Sequence, residues 1–201
     1  MQIRFKILAA ALLTGLALSP AATAQSNELS ILAGATNPSA TVNVSSLASV
    51  SGGKSAAVQV DFAHRIKETA SGNLYFEVPV TRVFKASVGV DYDRMDVAQS
   101  KFFVTPGLRY AFAPGARLSP YVAGGFGFGW FESVRVAWSD PWLSVNVGDG
   151  VKPAAGFGGG AEIRISRSVT FRAEVRDFVN CASGDSSRNH VVYSGGFGWR
   201  F

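Results

Sequence analysis

Ser194-Gly195-Gly196-Phe197-Gly198-Trp199-Arg200-Phe201 decides how the rest of the chain is read. Phe197, Trp199 and Phe201 alternate with Gly196, Gly198 and Arg200, the two-residue period of a β-strand with one aromatic and one small or polar face. A strand in water buries its aromatic face, whereas a strand in a bilayer turns that face to lipid and keeps the polar one inside. The sequence stops on Phe201, so this segment is expected to be a closing strand.

The opposite end points to export. Arg4 and Lys6 precede an apolar run from Ile7 to Leu18, broken by Thr14 and Gly15, and Pro20 then leads to Ala22-Thr23-Ala24, a small-x-small cleavage pattern. The run is too short for a spanning helix, so residues 1–24 read as a secretory signal peptide cut between Ala24 and Gln25. Residues 25–201 then form one domain. Cys181 is the one cysteine, which excludes an intrachain disulfide and a lipid-anchored cysteine after the apolar run.

Without Arg4 and Lys6, 17 basic residues stand dispersed against 14 acidic ones, a balance that argues against nucleic acid as a partner. With 22 Gly and 15 Phe but only 16% charged residues, the composition suits strands that face lipid on one side. No stretch of 25–201 reaches the roughly 18 apolar residues of a membrane helix. An exported chain of this kind satisfies its backbone in lipid by closing a β-barrel.

Eight segments carry the two-residue period: 28–34, 55–66, 73–82, 99–112, 117–132, 151–165, 169–179 and 189–201. Their connections alternate long and short without exception, 35–54, 67–72, 83–98, 113–116, 133–150, 166–168 and 180–188. Long external loops and tight periplasmic turns follow that rule. The prediction is an all-β fold, an eight-stranded antiparallel up-and-down transmembrane β-barrel in the cell outer membrane. Pro79, Pro106 and Pro120 fall inside strands, and a closed barrel has no free edge for them, so each is expected at a bulge or a rim. In the third loop, Val134, Val136 and Trp138 alternate before Ser139-Asp140-Pro141, and Leu143, Val145 and Val147 alternate after it. Strands five and six are expected to run on above the membrane there, because an extra membrane hairpin would carry Asp140 into lipid.

The inward faces hold Arg65, Arg109, Arg164, Arg172, Arg176 and Arg200 against Asp61, Glu77, Glu162 and Glu174. An eight-stranded interior is just filled by side chains, and buried charge is costly unless paired. These residues are therefore expected to form a salt-bridge network that plugs the lumen, with a gated narrow channel as the alternative. Antiparallel register counted from the 166–168 turn sets Glu162 opposite Arg172 and Arg164 opposite Thr170, and the Glu162–Arg172 pair is expected to bond.

The closing pattern polar-x-Gly-x-x-aromatic-x-aromatic, met by Ser194, Gly196, Trp199 and Phe201, resembles that of the small outer-membrane β-barrels of Gram-negative bacteria, the OmpA-type and OmpX-type barrels. Segments 103–109, 118–122 and 173–178 look like members of the same broad group, and the resemblance covers the whole of 25–201. It implies that the terminal motif is read by the barrel-assembly machinery, with periplasmic chaperones as transient partners and outer-membrane lipids around a monomer. It does not choose a function, since adhesins, structural proteins and lipid-modifying enzymes share the fold. The expected role is structural or surface-interacting, with an unidentified extracellular ligand met by the Ser-rich first loop (45–51) and by Trp138 and Trp142 of the third.

Enzyme readings lack a site. A lipid A deacylase barrel would use a His-x-Ser pair with a carboxylate, and the two histidines here read His64-Arg65-Ile66 and His190-Val191-Val192. Gly156-Phe157-Gly158-Gly159-Gly160-Ala161 matches a dinucleotide fingerprint but runs on as strand through Glu162-Ile163-Arg164-Ile165, without the helix the site needs. Its glycines are expected to relieve crowding in the lumen instead. His64, on the lipid-facing parity near the periplasmic rim, is expected to be interfacial. No cofactor or metal is expected.

Overall fold

The computed structural model describes residues 26–37, 41–45, 48–51, 55–84, 100–113, 115–131, 134–137, 144–147, 150–180 and 189–201. Eight strands make the barrel: β1 Asn27–Asn37, β2 Ser55–Glu68, β3 Gly72–Val83, β4 in two segments (Lys101–Val104 and Gly107–Phe112), β5 Leu118–Phe131, β6 Gly150–Arg164, β7 Val169–Asn180 and β8 Asn189–Arg200. Each pairs antiparallel with the next, and β8 pairs with β1, so no edge is left open. Phe201 and Asn27 exchange backbone hydrogen bonds of 3.0 and 3.1 Å at the end of that seam.

Following paired residues once round the barrel leads from Asn37 through Val191, Asp177, Phe157, Gly124, Leu108, Phe76 and His64 to Asn27, a stagger of ten residues. Such a stagger tilts the strands by roughly 35–45° and leaves an eight-stranded interior that side chains fill. The two faces separate as the period requires. Along β5, Phe126 and Phe128 are 60% exposed while Gly127 and Gly129 between and beyond them are buried. That polarity is the reverse of a soluble domain and suits a wall surrounded by lipid.

Two of the three prolines depart from expectation. Pro79 and Pro106 make no bulge, because β3 and β4 keep one register from Glu77–Gly107 to Val80–Val104. Pro79 accepts a bond from the Thr105 amide at 3.3 Å and Pro106 accepts one from Phe126 at 3.0 Å, and neither ring has an N–H to return the second bond. The ladder loss shows as the break in β4 at Thr105 and Pro106. Pro120 lies near the periplasmic end of β5, opposite Ala161. Among the described residues, the register shift in the barrel falls between Arg65 and Lys67, in a run without proline.

Beyond the wall, Val134–Ala137 pairs with Ser144–Val147, and the Val134–Val147 pair continues the register of Phe131–Gly150 unshifted. Strands β5 and β6 run on as expected. Thr41–Ser45 and Ala48–Ser51 pair as a hairpin where the sequence predicts only loop. Ala22, Ala24, Gln25, Trp138, Asp140, Trp142 and Cys181 lie outside the described residues.

Candidate functional site

Inward side chains from all eight strands meet in the periplasmic part of the lumen. Arg109 (β4) bonds Glu162 (β6) and lies 3.1 Å from Glu28 (β1) and 3.4 Å from Glu77 (β3). Arg172 (β7) reaches Asp61 (β2) and Glu174 (β7), both at 2.6 Å, and donates from Nε to the Tyr121 hydroxyl (β5) at 2.7 Å. Arg176 bridges Glu77 and Glu174 at 2.7 and 2.8 Å. Arg200 (β8) bridges Glu162 at 2.7 Å and Glu28 at 3.2 Å, so the β1–β8 seam carries its own ion pair between register partners.

Burial makes the geometry matter. Arg109 and Arg172 are 0% exposed, so each guanidinium depends on its carboxylates rather than on water. The Tyr121 ring lies 5.5 Å from Arg109 and 4.6 Å from Arg172, and Tyr75 covers Arg109 from 4.5 Å. Both cations are thereby attracted by aromatic π faces. Glu174 also accepts from Tyr121 at 2.6 Å and from Gln59 at 3.1 Å, and Gln59 in turn accepts from Thr81 at 3.0 Å.

Toward the loops the lumen changes chemistry. Phe103, Phe131 and Phe178 fill it with Ala57, Ala154 and Val192. Phe103 stacks on Phe178 at 4.6 Å and 12°, and Phe131 meets Phe103 edge-on at 5.7 Å and 82°. Glycine makes the room: a Cβ on Gly129 would lie 2.9 Å from the Phe131 ring, and one on Gly156 3.2 Å from Phe178. His190 caps this layer, its Nδ1 3.2 Å from Lys101 Nζ and its Nε2 3.4 Å from Asn180. At the other mouth, a cleft of about 20 Å³ between Asn73, Arg117, Ser119 and Arg164 has room for about one water.

The predicted lumen residues divide into two groups. Asp61, Glu77, Arg109, Glu162, Arg172, Glu174, Arg176 and Arg200 meet in the network. Arg65 and Arg164 stay at the periplasmic mouth, Arg65 beside Glu68 at 3.1 Å and Arg164 lining the cleft. The expected Glu162–Arg172 bond is not made, although the two are register partners. Side chains lean along their strand, and β6 and β7 run in opposite directions, so Glu162 leans to Arg200 and Arg172 leans to Asp61 and Glu174. Glu28 and Tyr121 carry parts that sequence reasoning missed. Glu28 sits on the parity opposite Leu29 and Ile31, a signal that was there to read.

Among the motif residues, Gly196 packs so closely on β1 that a Cβ would lie 2.0 Å from the Ile31 carbonyl oxygen. Trp199 and Phe201 face outward, 45% and 44% exposed, and Ser194 is the register partner of Gly34. His64 lies exposed on the outer wall, with Nδ1 2.9 Å from Asn27 Oδ1.

No protein-family model and no curated protein sequence matches this chain. Solved structures do. Neisserial surface protein A is 17% identical with a TM-score of 0.59, the match covering 89% of this chain and 98% of that one. Ail, the attachment invasion locus protein of Yersinia pestis, is 14% identical with a TM-score of 0.54, covering 88% and 99%. The outer membrane enzyme PagL is 18% identical with a TM-score of 0.50, covering 85% and 97%. At these identities the likeness is one of fold, and it extends over nearly the whole of each barrel. The chain has the fold of the small eight-stranded outer-membrane β-barrels.

Proposed function

We propose that this barrel acts through its outer loops, as a structural or surface-interaction protein, and that its lumen is a closed core. The filled lumen is the observation that carries this reading. Charged side chains occupy the periplasmic part and stacked aromatics the outer part, so the described residues offer no continuous water path for a solute. Neisserial surface protein A and Ail are named for the surface and for attachment, which fits the same reading. A narrow gated channel would need both layers to move together. Lipid chemistry of the kind an outer membrane enzyme performs needs an assembled nucleophile and base, and here His64 binds Asn27 on the wall while His190 stands with Lys101 and Asn180 at the rim.

Residues 1–24 serve as the export signal. Ser194, Gly196, Trp199 and Phe201 serve as the segment read by the assembly machinery, placed on the seam that closes the sheet. Closure leaves no strand edge for a second copy, which favours a monomer. The test is complementation of a deletion strain with an envelope phenotype. Replacing 41–51 and 134–147 by short turns should leave a heat-modifiable barrel that fails to complement, and full complementation by the loop-less barrel would refute the proposal.

A further inference from the structure

The three periplasmic turns repeat one pairing. Ile66, 54% exposed, is followed by exposed Lys67 in the first. Exposed Arg117 precedes Leu118, 55% exposed, in the second. In the third, Ile165 is 58% exposed and exposed Arg167 lies two residues on. The turns join β2 to β3, β4 to β5 and β6 to β7, so the pairs stand at even two-strand steps round the rim. At the fourth step, the β8–β1 seam, Trp199 and Phe201 are exposed instead.

Charge on this rim is one-sided. The acid in these turns is Glu68, held by Arg65 at 3.1 Å, while Arg164 faces the mouth from inside and Arg200 beside it is neutralised by Glu28 and Glu162. The outer loops differ: residues 35–54, 83–98, 133–150 and 180–188 hold five Lys or Arg against six Asp or Glu. A ring of cations with so little opposing charge repels itself unless an anionic surface lies beside it.

We propose that Lys67, Arg117 and Arg167 form a ring that binds the anionic phospholipid headgroups of the periplasmic leaflet. Each apolar neighbour fixes its turn at the depth where acyl chains end, and the adjoining cation then lies at the level of the phosphates. The acidic cell-wall polymer below the membrane is a poorer occupant, because cations aimed at it need no exposed aliphatic partner in lipid. The inference rests on the barrel and its short turns, and not on what the outer loops do.

Native mass spectrometry of the refolded full chain, in detergent doped with equal phosphatidylglycerol and phosphatidylcholine, tests it. Phosphatidylglycerol should be retained preferentially, less so as salt rises, and each of Lys67→Gln, Arg117→Gln and Arg167→Gln should weaken retention about five-fold. The three positions are exposed, and heat-modifiability of each variant checks folding. If one variant does not fold, the other two and the salt titration of the unaltered chain decide. Equal retention of both lipids, or a preference unchanged in the variants, would overturn the proposal. So would variants that lose co-sedimentation with purified peptidoglycan while keeping their preference for phosphatidylglycerol.

Discussion

The two layers of the lumen close one cylinder by different physics. Below, the network of Arg109, Arg172, Arg176 and Arg200 works by direction, each guanidinium tied to carboxylates on particular strands. Above, Phe103, Phe131 and Phe178 work by volume, with Gly129 and Gly156 cut back to admit the rings. A directional core names its partners and tolerates the loss of none; a volume core accepts any side chain of the right size. The charged layer therefore holds strand to strand, including the first to the last through Glu28 and Arg200, while the aromatic layer fills space.

That contrast can be broken at Arg172. Arg172→Met strips Asp61 of its guanidinium and leaves Glu174 with Arg176 alone, and should destabilise the barrel by about 3–5 kcal/mol in a urea titration in lipid. Replacing Asp61, Arg172 and Glu174 together by apolar residues should lose far less, and equal losses would mean that the charges do not depend on one another. Tyr121→Phe keeps the ring beside both guanidiniums but removes the hydroxyl that joins Arg172 to Glu174, and should lose about 1–3 kcal/mol in the same titration. In the upper layer, Phe178→Leu should lose only about 1 kcal/mol, since the neighbouring rings can shift into the space. A larger loss there than at Tyr121 would reverse the comparison.

The smallest effect separates register from bonding. In a double-mutant cycle, Glu162→Ala with Arg109→Ala should couple by about 0.5–3 kcal/mol, and Glu162→Ala with Arg172→Ala should couple more weakly, since that pair shares the network without a direct bond. This is also where the sequence stops being legible. Strand number, facing and the Glu162–Arg172 register follow from the two-residue period and one turn, because lipid and lumen impose opposite demands on alternate residues. Partner choice follows from the lean of side chains and the reach across a narrow lumen, which no local pattern records. Glu28 was readable by parity, but its role as the carboxylate between Arg109 and Arg200 emerges only when β1 closes on β8. Pro106 broke a strand without shifting it, and the bulge arose at Arg65 and Lys67, where the sequence offers no proline as a marker.

Conductance across a planar bilayer tests most directly whether the lumen is a core. With the refolded full chain inserted, the filled layers predict no steps above the bare membrane at any moderate voltage, and the same silence for Phe178→Leu. A steady ohmic channel from the unaltered chain would contradict the account.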